Sequence, residues 1–134
     1  MRQMKSGISV GQKAVIQAEV TPDMYAQFEG KVIHPAYSTV SMVYHMEWAA
    51  RQLILPYLED EEEGIGGGVE VKHLGPACSG QLIEVIATIT DLTHKSVMSR
   101  VDVRRGTDII GTGKVIQFIL PKKEIDNKLE RAKM

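Results

Sequence analysis

The chain has 134 residues, 43% hydrophobic and 25% charged, with a formal net charge of −1 and a pI near 6.4, which fits one domain with one core. The near-neutral balance gives no broad basic surface for nucleic acid or anionic lipid, and no run of eighteen apolar residues offers a membrane span. One cysteine, Cys78, cannot form an internal disulfide, no Cys/His spacing suits tetrahedral zinc, and the N-terminus lacks a signal-like apolar run, so the chain reads as cytoplasmic.

Between Ile8 and Val20, a break at Gly11 is followed by the alternation Ala14, Ile16, Ala18 and Val20, which predicts a half-buried strand. Thr21-Pro22-Asp23 can cap a short helical turn reaching Phe28, and Gly30 and Pro35 suit a loop from Glu29 to Tyr37. A long helix is predicted from Ser38 or Thr39 to about Leu58, with Pro56 bending or ending it. Glu59 to Glu63 then reads as a solvated acidic turn, because carboxylates oppose the dipole at a helix C-terminus. The glycines from Gly64 to Gly68 read as a flexible turn.

Four strand-like stretches follow. Val69, Val71 and His73 share a face of the first, and Ile83, Val85, Ala87 and Ile89 a face of the second. Val97, Ser99, Val101 and Val103 alternate with polar neighbours in the third. The fourth runs from about Asp108 to Leu120, with Gly111 and Gly113 marking a bend or close backbone approach. Pro121 ends it, and residues 122–134 form a charged, helix-compatible tail. Connections this short forbid parallel crossovers, so the expected architecture is α+β, one long helix on a mainly antiparallel sheet. Leu82 and Ile86 give the second strand apolar residues on its other face too, which a second subunit would cover.

Within the long helix, Val43, Ala50, Ile54 and Leu58 fall on one face with Glu47 in their midst, opposite Ser41, His45 and Gln52. A carboxylate so placed needs a partner, and the inward-facing His73 is the candidate. Such a pair is either a structural ion pair or an acid/base device, since a carboxylate can fix an imidazole tautomer and the imidazole can shuttle protons near neutral pH. Thr39 has an ordinary role as helix cap and a chemical one as nucleophile or water-orienting hydroxyl. Eight residues of helix rise about 12 Å, so Thr39 and Glu47 of one helix cannot touch. A site using both must join them through substrate and His73 or draw on two subunits.

The stretch Ser38-Thr39-Val40-Ser41-Met42-Val43-Tyr44-His45-Met46-Glu47-Trp48-Ala49-Ala50, then Pro56-Tyr57-Leu58-Glu59, then Gly66 through Val71-Lys72-His73, resembles the hotdog-fold thioesterases of the fluoroacetyl-CoA thioesterase-like family. The likeness is most specific at Met46-Glu47-Trp48-Ala49 and at the 26-residue step from Glu47 to His73. It implies a central helix wrapped by an antiparallel sheet, a homodimer, acyl-CoA bound at the subunit interface, and a catalytic set of Thr39, Glu47 and His73. Gly66 matches a substrate-contacting glycine. Two positions depart from the family pattern: Ile33 stands where the fluoroacetyl-specific enzyme has an aromatic gate, and Gln117 where it has an arginine, so that selectivity does not carry over.

The leading expectation is therefore hydrolysis of an acyl-CoA thioester to free acid and CoA, with no metal or redox cofactor required. Thr39 would attack or position water, His73 would act as general base and acid, and Glu47 would orient the imidazole or activate water. Backbone amides at the helix start or beside Gly66 are candidates for the oxyanion hole. The alternatives are an acyl-CoA hydratase or dehydratase, in which Thr39 has no obvious task, and a non-catalytic acyl-CoA binding module.

Overall fold

A computed structural model describes residues 4–134. Its elements in chain order are β1 (Lys13–Glu19), a 3-10 turn (Pro22–Met24), β2 (Tyr25–Phe28), β3 (Lys31–Tyr37), α1 (Thr39–Ile54), a second 3-10 turn (Leu55–Tyr57), β4 (Glu62–His73), β5 (Leu82–Leu92), β6 (Ser96–Arg105), β7 (Asp108–Pro121) and α2 (Lys122–Ala132). Five strands form one sheet in the order β1-β5-β6-β7-β4, with every neighbouring pair antiparallel. The α+β expectation of one long helix against an antiparallel sheet holds. Among the described residues no helix is long and apolar enough to cross a membrane.

The core lies between α1 and the concave face of the sheet. Met42, Met46, Ala49, Ala50, Leu53 and Ile54 of α1 are buried against Ile83, Val85, Ala87 and Ile89 of β5, Val97, Val101 and Val103 of β6, and Ile110, Val115 and Ile119 of β7. The alternation read in β5 and β6 is thus the core pattern. On the other face of β5, Leu82 is exposed.

The helical face differs from the one expected. Ala50 and Ile54 are buried as expected, but Met42, Met46, Ala49 and Leu53 form a denser apolar stripe one step around, and packing centres on it, leaving Glu47 outside the core. This rotation exposes Glu47 and buries His45, the reverse of the sequence reading. The helix also stops at Ile54, and the Leu55–Tyr57 turn carries Pro56.

The expected helical turn is confined to Pro22–Met24, and the rest of it and the expected loop are strands. Tyr25–Phe28 and Lys31–Tyr37 form a separate two-stranded sheet, closed by Glu29 at φ 52° and Gly30 at φ 78°. Two successive left-handed residues make the tight turn that matches strand twist, and Pro35 is tolerated because a two-stranded ribbon has only edges. The glycine run is not a flexible turn either, since β4 begins at Glu62 and pairs with β7 through Gly64 and Gly66. Gly67 falls at a register shift where the Phe118 ring fills the place of a side chain. Nor is the acidic run wholly solvated: Glu62 is buried, and its Oε1 accepts the Glu59 N–H at 2.8 Å.

Candidate active site

The end of β3 and the start of α1 place Thr39. Tyr37 N–H donates to Ala77 O and Ser38 N–H to Met24 O, which fixes the junction between the small sheet and the rest of the chain. Ser38 is the N-cap, its Oγ accepting the Ser41 N–H at 3.0 Å. Thr39 is therefore the first helical residue and its side chain is free for other contacts. Of the two residues expected as cap, Ser38 takes the role and Thr39 does not.

His73 is the last residue of β4, and its Nδ1 lies 2.8 Å from Thr39 Oγ1. The pair sits in an open hollow of about 350 Å³ whose other walls include Ala26, His34, Leu74 and Pro76. A hydroxyl hydrogen-bonded to an imidazole is the geometry in which the ring can take the hydroxyl proton.

Glu47 is not the partner of His73. It lies two turns further along α1, in a groove of about 690 Å³ that it shares with Tyr44, Trp48, Arg51, Gly66 and Gln117. Gly66 faces it closely, for a Cβ added there would stand 3.8 Å from Glu47 Oε2. The expected pairing fails because of helix rise: β4 crosses α1 so that His73 meets its first turn while Gly66, seven residues earlier on the strand, meets Glu47. One chain thus carries a Thr39–His73 hollow and a separate Glu47–Gly66 groove.

Gln117 sits opposite Gly66 on β7 and is buried, with its Nε2 donating to Ala50 O at 3.0 Å, so its carbonyl oxygen is the free end of the amide. Arg51 donates to Glu63 Oε2 at 2.9 Å, and that oxygen also accepts the Gly64 N–H. The Arg51 bond holds the Glu63 carboxyl below its ordinary range against the opposing effect of burial, with Gly64 helping. Ile33 is exposed on β3 and lines neither the hollow nor the groove.

One buried polar pair was not legible in the sequence. Tyr37 OH lies 2.7 Å from His45 Nδ1, and the two residues are 2% and 3% exposed. Burial pushes the Tyr37 phenol above its usual value and pulls the His45 imidazole below its own, partly offset by a hydrogen bond to the Ser41 backbone, so both are neutral at physiological pH. The Met42, Met46, Ala49 and Leu53 stripe is the signal that would have placed His45 inside.

This architecture and these positions have counterparts in known proteins. A family model described as fluoroacetyl-CoA-specific thioesterase matches residues 20–123. The chain belongs to that family. It is therefore a hotdog-fold thioester hydrolase, as the residues from Ser38 to His73 led one to expect. A curated fluoroacetyl-CoA thioesterase from Streptantibioticus cattleyicolor is 26% identical, with 96% of each chain covered. Among solved structures, a Thermus thermophilus hypothetical protein described as a thioesterase superfamily member is 41% identical, with a TM-score of 0.91 and 96% and 95% of the two chains covered. The fluoroacetyl-CoA thioesterase itself shares the fold at a TM-score of 0.86 and 24% identity, over 94% of this chain and 98% of that one.

Proposed function

We propose that this thioesterase hydrolyses a small acyl-CoA thioester to the free acid and CoA at a site built from Thr39, His73 and Glu47 across a homodimer. The observation that carries the reading is the Thr39 Oγ1 to His73 Nδ1 hydrogen bond, open to a hollow. Acyl-CoA as the substrate class rests on the family, one of whose members has been solved in complex with acetyl-CoA.

In the proposed reaction His73 takes the hydroxyl proton as Thr39 Oγ1 attacks the thioester carbonyl. Collapse of the tetrahedral species breaks the carbon–sulfur bond and the imidazolium returns the proton to the departing CoA sulfur. Water, deprotonated by His73 or Glu47, then attacks the Thr39 ester; the bond from the acyl carbon to Oγ1 breaks, the proton passes to Thr39 Oγ1 and the acid leaves. The developing oxyanion needs donors. The Thr39 and Val40 amides have no helical acceptor, as in any first turn, and Ser38 satisfies Ser41 instead. They are the donors we assign.

Two chains are needed because one chain separates Glu47 from the hydroxyl–imidazole pair. Strand β4 is an edge of the sheet, twelve residues long and largely exposed from Ile65 to Glu70. Antiparallel pairing of two such edges near their middle would set the Glu47–Gly66 groove of one protomer beside the Thr39–His73 hollow of the other, and would cover exposed Tyr44 and Trp48.

Thiol release from a panel of short, branched, aromatic and long acyl-CoAs tests the activity, and mixing tests the composite site. Thr39→Ala and Glu47→Gln, each expected to be strongly impaired alone, should regain activity on co-refolding, because a mixed dimer keeps one intact site, roughly a quarter of all sites under random pairing. No recovery in dimers shown to be mixed would rule out the shared site. Conversion of an enoyl-CoA with its thioester intact would instead favour the hydratase reading.

A further inference from the structure

The buried Tyr37–His45 pair has no part in the proposed reaction, yet it adjoins the one imidazole that does. Tyr37 is the last residue of β3, its backbone tied to Ala77 O. Its phenol reaches past the first turn of α1, where Thr39 stands, to His45 Nδ1 in the second turn. The ring is stacked on His45 at 5.7 Å between centroids and 22° between planes. The edge of the same ring system meets His73, at 6.3 Å and 71°. Three rings, His45, Tyr37 and His73, therefore stand in a row; His73 and Tyr37 both line the hollow that holds Thr39, and His45 lies behind them.

Stability alone does not call for this chemistry. A phenylalanine and a leucine would fill the same volume without the cost of desolvating a hydroxyl and an imidazole, and a buried hydrogen bond contributes little net stability beyond meeting its own partners' needs. What the bond supplies is direction. An apolar ring can slide and tilt within its packing cage, whereas a phenol held at 2.7 Å by a helical side chain is fixed along its axis. His73 is the terminal residue of its strand and has one hydrogen bond of its own, to Thr39. The ring of Tyr37 lies against it on the buried side.

We infer that Tyr37 and His45 are positioning residues for the Thr39–His73 pair: the phenol–imidazole bond locks the Tyr37 ring, and its contact holds the His73 ring with Nδ1 on Thr39 and Nε2 left for proton exchange. The inference rests on the proposed role of His73, and it assigns the pair to turnover rather than to substrate affinity. Misplacing a reacting group by about 1 Å can cost on the order of 10²-fold in rate, so loosening one ring is expected to cost roughly tenfold.

The experiment uses the full chain in its native assembly and compares Tyr37→Phe, the double variant Tyr37→Phe/His45→Leu, and His73→Ala. Tyr37→Phe is expected to lower kcat roughly tenfold with KM unchanged. The double variant removes the orphaned imidazole and should recover the thermal stability lost in the single variant while kcat stays low. Nitrogen-15 shifts of the His73 ring report the same property without substrate: one tautomer in the native protein, an averaged mixture in both Tyr37 variants. Native kcat and an unchanged His73 spectrum in the double variant would overturn the inference and leave the pair as core packing. Retention of activity in His73→Ala would instead remove the catalytic reading on which it rests.

Discussion

In the proposed reaction His73 carries the proton, and its hydrogen bond to Thr39 makes the expected consequences of substitution specific. Replacing His73 by Ala or Glu47 by Gln is expected to slow thiol release from acyl-CoA by roughly 10²-fold or more, the usual contribution of an acid/base group. Thr39→Ser keeps a hydroxyl at the same place and should retain far more activity than Thr39→Ala. Near-native turnover in Thr39→Ala would show that water, not the side chain, attacks. His45 gives a stability test with a definite sign. Burial holds its folded pKa below the ordinary value of 6.5, so as pH falls through 6.5 the unfolded chain takes up a proton that the folded chain refuses, and stability is lost on acidification. The melting temperature should fall between about pH 7 and pH 5, and fall less in His45→Leu. Glu19 and Asp23 line a separate hollow beside His45. Identical pH slopes in the two proteins would contradict the assignment.

At the scale of elements, strand and helix spacings announced α1 and the strands β4 to β7, because periods of 3.6 and 2 are set by backbone geometry alone. Which helical face turns inward was not so determined. Two apolar stripes share α1, and only the summed burial against β5, β6 and β7 selects the one containing Met42, Met46, Ala49 and Leu53. The glycine-rich start of β4 was illegible for a similar reason. Gly64 to Gly68 have poor strand propensity, and it is partners on β7 that extend the ladder. Glycine there is required by neighbours, and the demands differ along the pair. A Cβ on Gly113 would fall on the Glu70 carbonyl oxygen, rigid backbone, whereas one on Gly68 would meet only the Ile116 side chain at ordinary distance. Gly113→Ala is expected to destabilise by about 1–3 kcal/mol or more, against a small effect for Gly68→Ala, as measured by denaturant unfolding. Equal effects would show that the β4–β7 spacing relaxes freely.

For the whole molecule, the edge strand β4 and the exposed aromatics Tyr44 and Trp48 make assembly the decisive question. A sedimentation mass near twice the 14.9 kDa chain is expected, and full activity in a strict monomer would refute the shared site. Sequence by itself determined the class of layers, the four successive strands of the second half, and the end of the helix near Pro56. It could do so because these follow from local periodicity, turn chemistry and short motifs. Tertiary structure alone decided that His73 meets Thr39 rather than Glu47, that His45 is buried beside Tyr37, and that Glu47 faces Gly66. The physical reason is that partnership between side chains depends on how two elements cross. That crossing is fixed by the packing of the whole core, not by the sequence of either element.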